Sequence, residues 1–135
     1  TKGMANRMVV VNAAEMEKQI NTTGSVALYG IYFEFNKAVV QPESAEALKE
    51  VENLLKADPS LKLLVVGHTD NVGGFDSNKL LSERRAAAVV EELVKKHGVS
   101  SQRLFPFGCS FVSSAVLNTG DDGRAKNRWV ELVRW

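Results

Sequence analysis

The sequence predicts an α/β fold, a mixed β-sheet with helices packed on it. Two observations carry that expectation. Short runs rich in Val, Leu, Ile and Phe alternate with stretches whose apolar residues recur at three- and four-residue intervals, and strands alternating with helices build a sheet covered by helices. The chain's 135 residues suit one domain with a real apolar core and leave no room for a second catalytic domain.

Each element has its own signal. Met8 to Val11 reads as a short strand, and Ala13 to Ile20 as a short helix with Met16 and Ile20 four apart. Asn21 to Gly24 makes a turn. Val26 to Phe35 carries the branched and aromatic residues that suit a pleated surface, and breaks at Asn36. Pro42 then opens a helix: its missing N–H costs nothing in the first turn, Glu43 and Glu46 complement the positive helix end, and Ala45, Leu48, Val51 and Leu55 form an apolar face. That helix stops near Asp58 and Pro59. Leu61 to Val66 is a nearly unbroken apolar run, as in a central strand covered on both sides. His68 to Ser77 has loop composition, and an amphipathic helix follows from about Asn78 to His97, closed by Gly98. Arg103 to Phe107 is a further strand, Ser110 to Arg124 a loop, and Arg128 to Trp135 a final strand. Residues 1–25 are read as an N-terminal extension and residues 26–135 as the domain proper.

Composition narrows the function. Seventeen basic and sixteen acidic residues give a net charge of +1, without the basic excess that nucleic-acid binding needs. No stretch approaches the roughly 20 apolar residues that span a bilayer, and the start of the chain lacks a signal-peptide pattern, so direct membrane insertion by this segment is not expected. Cys109 is the only cysteine, which excludes an internal disulfide and a cysteine-rich zinc site. No cofactor or metal is expected. His68 and His97 are far apart in the pattern, and Asp70 to Asp76 lacks the alternating acids and closing glutamate of a calcium loop. Neither Cys109 nor any serine occupies a recognisable nucleophile turn, so the pair His68 and Asp70 does not amount to a hydrolase and the chain is read as no enzyme.

Ligands in open α/β sheets settle beyond the carboxyl ends of strands, where helix N-termini turn N–H groups outward. Gly67 to Arg85 is such a strand, loop and helix segment, with Asp70 at the strand exit. Turning the helix at about 100° per residue puts Ser82, Ala86, Val89, Val90 and Leu93 in one sector, Arg84 nearly opposite, and Arg85 on the border. From there a long side chain can lie along the protein and aim its guanidinium toward the helix N-terminus. Asp70 and Arg85 are thus either a ligand-binding pair or structural residues, with Asp70 capping the loop or helix and Arg85 forming an ion pair with it or with Glu131.

The run His68-Thr69-Asp70-Asn71-Val72-Gly73, then Asn78, then Leu81-Ser82-Glu83-Arg84-Arg85-Ala86, resembles the signature G-H-T-D, glycine, N-x-x-L-S, R-A of the OmpA-like peptidoglycan-binding domains found in OmpA, Pal and MotB proteins. Gly123-Arg124-Ala125-Lys126-Asn127-Arg128-Trp129-Val130-Glu131 is similar to the family's G-R-x-x-N-R-R-V-E, and Tyr32 to Asn36 to its F-x-F-D. The likeness runs from about Tyr29 to Val133. It implies an OmpA-C-like α/β sandwich that binds peptidoglycan through the diaminopimelate of the stem peptide and anchors an envelope protein to the cell wall. Diaminopimelate ends in an ammonium and a carboxylate on one carbon. By resemblance Asp70 takes the ammonium and Arg85 forks the carboxylate. Backbone N–H groups at Asn71 and Val72 assist, and Thr69, Asn78, Arg128 and Asn36 complete the site. Asn78 is equally readable as a helix N-cap, and Arg128 as an exposed strand-end charge.

The same resemblance implies the periplasmic side of a Gram-negative envelope, with tethering to the outer membrane by a segment missing from the N-terminus. Other envelope proteins are possible partners, and a protein–protein interaction module with little or no peptidoglycan binding is the rival reading. Three departures stand out. Asn36 occupies a position where many members have aspartate, Trp129 replaces the second arginine of the usual pair, and Gly108-Cys109-Ser110-Phe111 replaces a glycine-x-glycine, with Ser113 and Ser114 where a proline is expected.

Overall fold

A computed structural model of the chain describes residues 12–28, 30–33, 37–69, 74–108 and 130–135. Among them, helix α1 (Ala13–Thr23) leads to strand β1 (Ser25–Leu28), and a 3-10 turn (Pro42–Ser44) opens α2 (Ala45–Ala57). Strand β2 (Leu63–Gly67), the long helix α3 (Phe75–His97), a second 3-10 turn (Ser101–Arg103), β3 (Leu104–Gly108) and β4 (Val130–Arg134) follow. The sheet order is β1-β4-β2-β3. Strand β4 runs antiparallel to both β1 and β2, while β2 and β3 are parallel and therefore need a crossover, which α3 supplies. This is the expected mixed sheet with helices packed on it.

Alternate strand residues place Val26, Leu28, Leu63, Val65, Leu104, Val130 and Leu132 in the core. They meet Met16 and Ile20 of α1, Leu48, Val51 and Leu55 of α2, and Ala86, Val89 and Leu93 of α3. All three helices therefore share one core with the sheet, and α1, within the N-terminal extension, is built into it. Burying side chains such as Leu63 and Leu132 contributes about 1.5–3 kcal/mol each.

The helix ends follow local chemistry. Asn12 caps α1 by accepting the Glu15 N–H through Oδ1 at 2.8 Å, and Gly24 closes it with φ of +89°. Arg103 clasps the far end of α2, its Nε donating to the Leu61 carbonyl and its Nη2 to those of Leu55 and Asp58. A side-chain hydrogen bond between Glu52 and His97 ties α2 to α3. The largely buried Glu52 receives Lys56 Nζ at 2.6 Å on one oxygen and His97 Nδ1 at 2.8 Å on the other. Hydrogen bonds from Lys56 and His97 outweigh the desolvation that opposes them, with help from the charge of Lys49, and hold the Glu52 carboxyl down at about 2.

Several boundaries differ from the sequence reading. Helix α1 runs three residues past Ile20, so the turn reduces to Gly24. Strand β1 is Ser25–Leu28, paired to β4 as far as Leu28 with Val130, and residues 30–32 lie outside the described strands. Beyond it Phe33 makes an isolated bridge to Val40. Helix α3 starts at Phe75 with Gly74 as its N-cap, not at Asn78. The expected strand at Met8 to Val11 and the loop Ser110 to Arg124 lie outside the described residues.

Candidate functional site

The sheet register brings the strand ends that matter to one edge. Leu28 pairs with Val130, Val130 with Gly67, and Gly67 with Gly108, so these four residues form one row across the sheet. From this row the chain leads on from β1 toward Asn36, from β2 through His68 and Thr69 to Asp70, and from β3 to Cys109, and it arrives at β4 from Arg128. Asp70, Asn71, Val72, Asn36, Arg128 and the Cys109 loop themselves lie outside the described residues. The segments that carry them join the sheet at this edge.

Helix α3 crosses the same edge at very short range. A Cβ on Gly67 would lie 2.2 Å from the Ser82 carbonyl oxygen, and one on Gly108 2.4 Å from the Glu83 backbone nitrogen. Only glycine at both strand ends lets the turn from Ser82 to Ala86 sit down on the sheet. That turn carries Arg85. Of the expected sector of α3, Ser82, Ala86, Val89 and Leu93 are buried and Val90 is half-buried, Arg84 is exposed as expected, and Arg85, expected on the border, is buried. Arg85 is only 1% exposed. Its Nε donates to the Lys37 carbonyl at 2.8 Å, and its guanidinium carbon lies 5.0 Å from the centre of the Phe33 ring. A carbonyl dipole and a π-face are two contacts that favour a buried cation.

The segment that receives Arg85 is itself tied down. The Tyr32 N–H donates to Ser44 Oγ at 2.7 Å, the Gln41 N–H donates to the Tyr32 carbonyl at 2.9 Å, and Ser44 is fully buried at the start of α2. Neither Phe33 nor Lys37 was among the candidate site residues. Phe33 belonged to a visible aromatic strand motif, whereas a backbone carbonyl such as that of Lys37 has no sequence signature.

Asn78 is not the N-cap. It is buried within the first turns of α3, where its backbone N–H and its Nδ2 both donate to the Gly74 carbonyl at 3.1 Å. His68 is buried and paired through Nε2 with Glu131 Oε1 at 3.2 Å, which makes it a hydrogen-bonded structural residue. That bond from His68, aided by Ser25, holds the Glu131 carboxyl below the usual range against the opposing effect of burial. Thr69 stands one residue before Asp70 and is 1% exposed, and among the described residues its Oγ1 is a buried side-chain oxygen with no hydrogen-bond partner. Leaving such a group unmet costs about 1–3 kcal/mol, which makes it a notable feature at a strand end. Among the described residues no cluster of three or more His, Cys, Asp or Glu could hold a metal, and no helix is long and apolar enough to cross a membrane.

The fold is an open α/β sheet with helices packed on it, and the buried Arg85 is carried by the helical turn seated at the carboxyl ends of its two parallel strands. The chain belongs to the OmpA family, whose model matches residues 32–128. It is 36% identical over 101 residues to outer membrane protein A of Bordetella avium, covering 75% of this chain and 52% of that protein. It is 35% identical over 121 residues to the peptidoglycan-binding protein ArfA of Mycobacterium tuberculosis, covering 89% of this chain and 36% of that protein. The crystal structure of the peptidoglycan-associated lipoprotein from Burkholderia pseudomallei superposes with a TM-score of 0.71 at 26% identity, over 84% of this chain and 92% of that one. The chain spans about half or less of the length of the first curated relatives it matches. None of these relatives has the name of an enzyme.

Proposed function

We propose that the domain binds peptidoglycan non-covalently through the diaminopimelate of the stem peptide and so anchors an envelope protein to the cell wall on the periplasmic side of a Gram-negative envelope, tethered to the outer membrane. The observation that carries this reading is the convergence, at one sheet edge, of the row Leu28, Val130, Gly67 and Gly108 with the helical turn that holds Arg85. In this reading Asp70 pairs with the ligand ammonium and Arg85 with its carboxylate. Asn71 and Val72 donate backbone N–H groups, Thr69 Oγ1 meets a ligand polar group, and Asn78, Arg128 and Asn36 border the site. In this reading the domain is non-catalytic, with Asp70 and Arg85 holding the ligand without breaking a bond in it. Family membership and the names of the matched relatives support the peptidoglycan part, and the zwitterionic chemistry of diaminopimelate supports the Asp70 and Arg85 roles.

The test is co-sedimentation with purified sacculi, followed by calorimetry with diaminopimelate-type and lysine-type stem peptides. Retention on sacculi without release of soluble fragments, and tighter binding of the diaminopimelate peptide, is the expected result. A folded domain that stays in the supernatant refutes it.

A second reading, a protein–protein module of the envelope, rests on the aromatic residues of β3 and the chain's last residue, Trp135. Phe105 stacks on Trp135 with ring centres 4.4 Å apart, and Phe107 and Trp135 are 52% and 67% exposed. Failure to bind sacculi would favour that module.

A further inference from the structure

Resting on the peptidoglycan-binding reading, we propose that Phe33 is a positioning residue that sets ligand specificity by fixing the plane of the Arg85 guanidinium. An arginine recognises a carboxylate by a planar fork of two N–H donors, so its discrimination depends on the orientation of that plane and not on charge alone. Arginine has a long, rotamer-rich side chain, and something must hold it. Here the Phe33 ring faces the guanidinium carbon at 5.0 Å, and the Lys37 carbonyl accepts the Nε hydrogen at 2.8 Å. The ring limits tilt, and the Nε bond limits rotation about the side-chain axis.

The two contacts come from one anchored segment. Phe33 bridges Val40, and the neighbouring Tyr32 is bound on both its backbone groups by Ser44 and Gln41 at the mouth of α2. On the other side, Gly67 and Gly108 seat the turn that carries Arg85. The guanidinium is therefore held between the sheet edge and the start of α2. Phe33 acts through Arg85, without itself contacting the ligand.

The experiment compares wild type, Phe33→Leu, Phe33→Tyr and Arg85→Ala, each checked by thermal melting, in titrations with diaminopimelate-type and lysine-type stem peptides. Only the former offers the carboxylate that Arg85 reads. Phe33→Leu removes the π-face and keeps an apolar side chain, so affinity for the diaminopimelate peptide falls about 3- to 30-fold while that for the lysine peptide changes little. The ratio of the two affinities collapses toward that of Arg85→Ala. Phe33→Tyr keeps the ring and restores the ratio. In the Arg85→Ala background, Phe33→Leu has no further effect. In the free protein, the Arg85 Nε–H resonance of the wild type exchanges slowly with water and loses that protection in Phe33→Leu. A wild type that prefers the diaminopimelate peptide, with Phe33→Leu preserving the ratio or weakening both ligands in step with a lowered Tm, overturns the positioning role and leaves the binding reading standing. A wild type that binds neither peptide overturns both, and an Arg85 Nε–H unaffected by Phe33→Leu overturns the positioning role by itself.

Discussion

Gly67→Ala is the sharpest test of how α3 meets the sheet. The added Cβ would stand 2.2 Å from the Ser82 carbonyl oxygen, 3.1 Å from the Ser82 carbonyl carbon and 3.4 Å from the Ala86 nitrogen. Ordinary contact begins at 3.4 Å, so the carbonyl must withdraw by about 1.2 Å. Every one of these atoms is backbone, and no side-chain rotation can relieve the clash. The helix must lift from β2, loosening Ala86, Val89 and Leu93, which are fully buried. Overpacking typically costs about 1–3 kcal/mol, and a clash with a helix backbone belongs at the upper end. For a domain of this size about 3–5 °C accompany each kcal/mol, so Tm should fall by about 10 °C. The same displacement carries Arg85 away from Lys37 and Phe33, and binding of the diaminopimelate peptide should weaken with it. Gly98→Ala is the control. It strains a residue with φ of +71° but meets nothing within 4 Å, so it should lower Tm by only about 3–5 °C and leave binding unchanged. Calorimetric melting of both variants decides the matter. If Gly67→Ala melts no lower than Gly98→Ala, the close seating of α3 on β2 is wrong.

Three further outcomes are expected. Arg85→Ala should weaken sacculus and diaminopimelate-peptide binding at least about tenfold while Arg84→Ala changes it less than about twofold, since only Arg85 turns toward the sheet edge; equal losses in pull-down would mean the helix phase does not govern recognition. Glu52→Gln should lower stability at neutral pH and flatten its decline in acid. The folded carboxyl titrates at about 2 and the unfolded one near 4.5, so its stabilisation is present above the unfolded value and lost as pH falls toward 2, which chemical denaturation across that range measures. Leu93→Ala, at a fully buried position where α3 meets the core, should cost about 2–5 kcal/mol in urea unfolding, and a smaller loss would place Leu93 outside the tightly packed region.

Much of this architecture was legible from residue pattern, and the exceptions have physical reasons. The long helix was visible through Ser82, Ala86, Val89 and Leu93, and its end through Gly98, because periodicity and a left-handed cap are local properties. Its start was not. Asn78 has the chemistry of an N-cap, yet its side chain reaches back to the Gly74 carbonyl from inside the helix, and nothing in its identity distinguishes the two uses. Likewise the apolar run from Val26 to Phe35 looked like one strand. Ile31 is buried and Phe33 packs against the core, but strand identity also needs a hydrogen-bonded neighbour, and among the described residues the pairing of this run with β4 reaches Leu28. The site separates in the same way. Arg85 could be placed by helical phase, whereas its partners are a ring 52 residues away and a carbonyl 48 residues away, and non-local pairings leave no local trace.

The position of Arg85 also indicates how affinity would be controlled. With a net charge of +1, the chain has no strong overall field to draw in an anionic ligand, so recognition must come from short-range contacts. A buried guanidinium is poorly screened and interacts strongly, but only with a partner that meets it in the right geometry. Its energetic cost is borne by the fold before any ligand arrives, through the Lys37 carbonyl and the Phe33 ring, and its location is set by the absence of side chains at Gly67 and Gly108. In the proposed reading, residues that do not touch the ligand therefore govern the site together with those that do. Asn36 directly precedes Lys37, so the position at which this chain departs from the family's aspartate is joined to the segment that supplies a contact to Arg85. In the proposed reading, a change of charge at Asn36 would act on the ligand ammonium through electrostatics and, through the adjoining Lys37 carbonyl, on the group that holds Arg85, so that one backbone segment would couple the two halves of a zwitterion site.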